Sequence, residues 1–255
     1  MQVVSHVTRI ASWTMFIIMT LINILSGLGM FFAHRPLDIL ALNDNYFLPA
    51  PFTHGIWILI FICFLLMTVY DLLLQGDEQV TNYYRQLVQP KLIEIYLFQI
   101  LWLICLCQDI LLGALIFGLI YMQRLLELVK LISGTAPLRK RPMLLKYPAG
   151  LQFSLSIVLT MMTLSVYLVN RGIAGQGRFM FWLSIILLIV MVALSAYYYV
   201  LYGNVMVVLA VIWYILGVAV RYYAKDWELF ITALLLLIIS TALFISLRRK
   251  QAQRQ

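Results

Sequence analysis

Charge is the scarcest resource of this chain. Only 11% of its 255 residues are charged, while 64% are hydrophobic. A water-soluble domain usually carries about a quarter charged residues to wet its surface. So few charges exclude a soluble globule of this size and leave hydrocarbon as the solvent. Cysteine and histidine are also rare, at three each. Cys63, Cys105 and Cys107 all lie in apolar stretches and read as small buried hydrophobes. That excludes a disulfide framework, and no metal-ligand spacing is spelled out. His6, His34 and His54 map to the ends of the first two apolar runs. No Ser/His, paired-Asp or His/Glu arrangement falls at helical spacing, so enzymatic activity is not expected, and neither is a cofactor or a metal site.

What the chain has instead is long apolar runs. A transmembrane helix needs roughly 20 apolar residues to cross a hydrocarbon core of about 30 Å. Spans are expected at about residues 10–32 and 52–74, separated by a polar loop (34–51) containing Asn43-Asp44-Asn45. The first is too long for a signal-peptide core and has no convincing cleavage site. Residues 76–90, including Gly76-Asp77-Glu78 and Pro90, read as a polar connection. The block from Lys91 to Ile132 would measure about 63 Å as one helix, twice the bilayer core, so it must double back. Gln108-Asp109 is its natural turn, giving a short third span at 92–107 and a fourth at 110–132. A basic segment, Arg139-Lys140-Arg141 with Lys146, precedes the fifth span at 149–169. The glycine-rich stretch 171–178 is a surface turn. Residues 179–223 fold back at Tyr202-Gly203-Asn204, giving spans at 179–201 and 204–222. The eighth span is 229–247. The fold class expected is therefore all-α: a polytopic bundle of about eight spans, forming one integral membrane domain over residues 1–255.

The net charge of +8 does not point to nucleic acid, because the basic residues sit in short clusters between apolar runs. With eight spans both termini share one side. Thirteen of the 18 Lys and Arg residues then fall on the side of the termini and five, Arg35, Arg171, Arg178, Arg221 and Lys225, on the other. The positive-inside rule places both termini in the cytoplasm of a cell-membrane protein.

Ionisable groups within a membrane are functional candidates by default. Here Asp71, Glu94 and Asp109 stand within a turn or two of helix ends and read as interfacial caps. Arg124, Glu127 and Lys130 follow one another at i, i+3 and i+6, as local ion pairs do. Tyr197-Tyr198-Tyr199 with Tyr202 suits an interfacial belt. Trp57, Trp102 and Trp213 sit deeper, where an indole N–H needs a partner or lines a cavity.

Two segments carry a resemblance. Phe47-Leu48-Pro49-Ala50 leading through His54 into Ile56-Trp57-Ile58 and on to Phe61 resembles the bacterial tryptophan-rich sensory proteins, the long branch of the translocator protein (TspO) family. Val211-Ile212-Trp213-Tyr214-Ile215-Leu216-Gly217-Val218-Ala219-Val220-Arg221 resembles the Trp-x-x-x-Gly-Ile-Ala-Val-basic segment of that branch. Leu101-Trp102-Leu103-Ile104 and Tyr147-Pro148 are similar at two further places. The chain departs from the family at Leu106-Cys107, where a second tryptophan is usual. It also departs at 149–169, which lacks the usual Trp and Asn, and at His54, which replaces an aromatic residue. The resemblance implies TspO-like helices over about 8–170 with additional helices over about 178–247. It also implies a pocket between the first five helices for porphyrins or other flat hydrophobic molecules. Pro49 and Pro51 stiffen the entry to the second span, with Trp57 expected about two turns below and Trp102 facing it.

The candidate ligand-binding residues are Phe47, Pro49, Pro51, His54, Trp57, Phe61 and Trp102. The expected partners are the lipid bilayer and a hydrophobic small molecule such as a porphyrin, with homo-oligomerisation open. Two other classes compete with this receptor: a small-solute transporter, which needs a polar midplane site, and a membrane scaffold for a partner protein.

Overall fold

The computed structural model describes residues 2–73, 78–139 and 142–252. Of the features read from the sequence, Leu74, Gly76, Asp77, Lys140, Arg141 and Arg254 lie outside the described residues, as do the side chains of Asp71, Glu78, Arg139 and Lys250. The described chain is a helical bundle. Its elements are α1 (Gln2–Gly27), α2 (Pro36–Leu42), a 3₁₀ turn (Pro51–Gly55), α3 (Ile56–Thr68), α4 (Tyr70–Leu73) and α5 (Glu78–Tyr83). After a π turn (Tyr84–Val88) come α6 (Gln89–Cys107), α7 (Leu111–Gly134) and α8 (Ala136–Arg139). A second π turn (Pro142–Lys146) leads to α9 (Tyr147–Asn170), α10 (Arg178–Tyr202), α11 (Met206–Tyr222) and α12 (Trp227–Ala252).

Seven helical stretches are long and apolar enough to cross a membrane, and α11, at 17 residues, is a shorter apolar helix between two of them. Seventeen residues span about 25 Å, the lower limit for a crossing. The expected turns are present. Asp109 takes φ 58°, and the bonds Asp109 N–H to Leu106 O and Ile110 N–H to Cys105 O close the end of α6 around it. Asp109 is thus a backbone cap in the left-handed region, a role short polar side chains tolerate.

Several features differ from the sequence reading. The first helix stops at Gly27, five residues before Phe32, because Gly29 (φ 74°) turns the chain and Met30 N–H bonds back to Leu25 O. The third span is not short: helical structure runs from Val80 to Cys107, 28 residues, straight through Pro90. Proline has no N–H to give to the preceding turn. The wider π turn at Tyr84–Val88, whose Tyr84 carbonyl accepts from Gln89 N–H, absorbs the mismatch. The same device recurs two residues before Pro148, where the second π turn leads into α9. The tyrosine cluster is also not a simple belt. Tyr197 is exposed, but Tyr199 is buried against Phe244 of α12, and Tyr198 meets Phe153 of α9 edge-on at 4.8 Å.

Helix α9 is the core of the bundle: 72% of its apolar window is buried, against 17% for each of the windows in α1 and α12, which form the rim. Without a hydrophobic force between helices in lipid, close packing needs small residues. Accordingly α9 carries Gly150, Ser154, Ser156, Thr160, Thr163 and Ser165, all buried. Four of their hydroxyls bond carbonyls one turn back in α9, while Ser154 Oγ reaches across to Val207 O of α11 at 2.6 Å. Helix α11 makes the main contact of the last three helices with the rest, and α10 packs directly on α9 and α7 as well.

The expected local pair of Arg124 with Glu127 is present, and with Lys91 and Glu94 it also forms a bridge between helices. Lys91 Nζ lies 2.7 Å from Glu127 and 3.5 Å from Glu94, and Arg124 lies 3.1 Å from Glu127 and 3.4 Å from Glu94. Two acids and two bases thereby join α6 to α7, with Lys130 exposed outside the group.

Candidate functional site

The loop between α1 and α3 is more ordered than its polar composition suggests, because it is buried. Asn45 and Phe47 are fully buried, and Asn43, Leu48 and Ala50 nearly so. Asn45 shapes it locally: Nδ2 donates to Asn43 O at 2.9 Å, and Oδ1 accepts from Phe47 N–H at 3.0 Å. A buried loop must satisfy its backbone, and α11 supplies the partners. Ala50 N–H donates to Gly217 O at 2.9 Å. Tyr214 and Tyr222 donate their hydroxyls to Phe47 O (2.7 Å) and Asn45 O (2.9 Å). Trp213 Nε1 donates to Thr53 O at 3.1 Å. Arg221 donates to Pro49 O at 3.2 Å and pairs with Asp44. The two segments that carry the family resemblance therefore meet in space. Gly217 makes the approach feasible, since a Cβ there would overlap the Thr53 hydroxyl and crowd Pro49.

Below this clamped loop lies a cavity of about 270 Å³ between α1, α2, α3, α6 and α9. Trp57 and Trp102 stand in its wall, nearly parallel, with ring centroids 6.4 Å apart and an interplanar angle of 20°. Phe61 continues the aromatic surface at 6.2 Å from Trp57. Trp102 is fixed on both sides. Its indole N–H donates to Thr163 Oγ1 at 3.1 Å, and its ring lies against Gly118, where a Cβ would come within 3.2 Å. Asn23 adds a polar edge, held by reciprocal bonds with Gln99 at 3.1 and 3.2 Å. Helix α2 closes the side through Pro36, Leu37 and Leu40. Its first turn is pinned by Asp38, which accepts from Arg35 Nε at 2.9 Å and Arg35 N–H at 3.2 Å. Those hydrogen bonds hold the Asp38 carboxyl below its ordinary range.

His54 stands where three hollows meet: this cavity, a small one of about 40 Å³ toward Trp213, and an outer vestibule of about 410 Å³ that reaches Arg221 and Lys225. Its Nδ1 lies 3.1 Å from Pro51 O. A carbonyl only accepts, so Nδ1 carries the proton and Nε2 is left for another partner.

The seven expected site residues thus divide. His54, Trp57, Phe61 and Trp102 line the 270 Å³ cavity together. Pro49 and Pro51 line the vestibule above it. Phe47 lies apart from both, its ring 5.3 Å from Tyr214 in the loop–α11 contact. Trp57 lies in the first turn of α3, about two turns after Pro51 through the intervening 3₁₀ turn, as expected. Sequence reasoning missed Asn23, Gln99 and Thr163, single polar residues in apolar runs, and missed the pairing of Asp44 with Arg221. Opposite charges, Asp44 just before one resemblance-bearing segment and Arg221 at the end of the other, were the available signal for that pair. Among the described residues no group of three His, Cys, Asp or Glu side chains converges to hold a metal ion.

Residues 9–246 match the family described as TSPO-like protein. No curated protein and no solved structure matches the chain.

Proposed function

Because this chain belongs to the TSPO-like protein family, we propose that it is a non-enzymatic membrane receptor for a small hydrophobic ligand, tetrapyrrole-like molecules included. The observation that carries the reading is the Trp57–Trp102 wall. Two near-parallel indoles, one immobilised by Thr163, form a preorganised surface for a flat apolar molecule. Pockets for small molecules typically measure about 300–1,000 Å³, so the cavity of about 270 Å³ suits a compact ligand. A tetrapyrrole would extend past His54 into the vestibule, where Lys225 offers a positive charge to anionic substituents beside Arg221, itself paired with Asp44. The charge asymmetry supports insertion in the cell membrane with both termini in the cytoplasm.

The test is a titration of the purified protein in detergent with a porphyrin and a panel of smaller apolar ligands. Tryptophan fluorescence is expected to quench saturably, with affinity about tenfold weaker in Trp57→Phe, as loss of an aromatic contact worth about 1.4 kcal/mol implies. Flat titrations across the panel would remove the receptor reading.

A further inference from the structure

A second hollow opens on the loop-bearing face, separate from the tryptophan cavity. It is a cleft of about 490 Å³ walled by Tyr46 from the loop, Phe181 and Trp182 from the first turns of α10, and Trp227 from the start of α12. The rings brace one another. Tyr46 meets Phe181 edge-on at 5.6 Å, and Phe181 meets Trp182 edge-on at 5.4 Å. Trp182 and Trp227 keep 55% and 64% of their surface exposed, so the cleft is accessible. Interfacial tryptophans commonly do no more than anchor a helix at headgroup level. Anchoring does not account for the charges between these rings.

Asp226 and Glu228 line the same cleft, together with one base, Arg178. Asp226 Oδ1 caps α12 by accepting from Leu229 N–H at 3.0 Å. The Tyr46 phenol is held above its ordinary value, first by burial, then by the negative charge of Asp226, to which it also hydrogen-bonds, and last by the charge of Glu228. Both carboxylates therefore act on the space that the rings enclose. With two acids and one base in its lining, the cleft carries an excess of negative charge and a separate donor, Arg178, at its edge. An anion alone would be repelled by the acids, and a neutral apolar molecule would cover them without compensation. A bulky, weakly hydrated cation satisfies both the aromatic faces and the carboxylates.

We infer that this cleft binds an organic ammonium group, the chemistry shared by a zwitterionic phospholipid headgroup and a soluble alkylammonium compound. In a headgroup, the phosphate attached to the ammonium would fall to Arg178. The site is independent of the tryptophan cavity and stands or falls separately from the receptor reading.

Saturation-transfer NMR on the methyl protons of tetramethylammonium tests it, with the full chain in maltoside detergent and in lipid nanodiscs. Saturable transfer is expected in detergent and in phosphatidylglycerol discs. Affinity should be at least about fivefold weaker in Glu228→Gln and in Trp227→Leu, whose side chains are exposed, and unchanged in Trp57→Phe. Loss of the signal in phosphatidylcholine discs identifies the headgroup as the occupant. Retention there identifies a soluble ammonium compound. Absence of saturable transfer in both detergent and phosphatidylglycerol discs overturns the inference, as does an unchanged affinity in Glu228→Gln.

Discussion

At the residue scale, Gly217 shows how one missing side chain sets a long-range contact. Its carbonyl accepts from Ala50 N–H, and the Thr53 hydroxyl occupies the space that a Cβ would need. Gly217→Ala should therefore push α11 away from the loop and destabilise the protein by about 1–3 kcal/mol, the usual range for overpacking. Thermal unfolding in detergent reads this effect, and Thr53→Ala in the same chain should restore part of the loss by emptying the contested volume. Equal melting temperatures for the wild type and Gly217→Ala would refute the close approach. Part of this scale was legible in the sequence. Trp57 and Trp102 stand out as deep tryptophans, and the structure faces them toward each other. The polar partners were not legible, because a single Thr or Asn in an apolar run carries no sign of which helix it will face.

At the element scale, the helix count and most turns were readable from length alone, since a 42-residue oily block cannot cross lipid once. The π turns before Pro90 and Pro148 were not. A proline ordinarily marks a helix boundary, and only the three-dimensional chain shows that a wider turn carries the helix through. Pairing between α6 and α7 is the element contact most open to measurement. Lys91, Glu94, Arg124 and Glu127 are each about a third exposed, so solvent screens them and the coupling is modest. A double-mutant cycle of Lys91→Met and Glu127→Gln should give a coupling of about 0.5–1 kcal/mol that shrinks with added salt. Strict additivity of the two substitutions would mean that the bridge contributes nothing to the α6–α7 pairing.

At the scale of the whole molecule, eight crossings, with the short α11 counted as one, would put both termini on the same side of the membrane. Reporter fusions at the N-terminus and at the C-terminus are expected to give the same cytoplasmic signal. Opposite signals would mean an odd number of crossings, with the short α11 as the first suspect. The order in which helices pack was the least legible property. Every span is apolar on most faces, so periodicity does not say which neighbour each face will meet. The docking of residues 43–53 onto α11 joins segments about 170 positions apart, as the separations of its hydrogen bonds record.

That separation bears on how the molecule is made. A ribosome delivers the N-terminal segments first, at about 5–20 residues per second, so the connector after the first helix emerges long before the tyrosines and arginine that will grip it. Until then its buried carbonyls lack their permanent donors, and the roof over the tryptophans has nothing to fasten to. Closure of the chamber is accordingly a late step of biogenesis, completed when the seventh hydrophobic segment arrives.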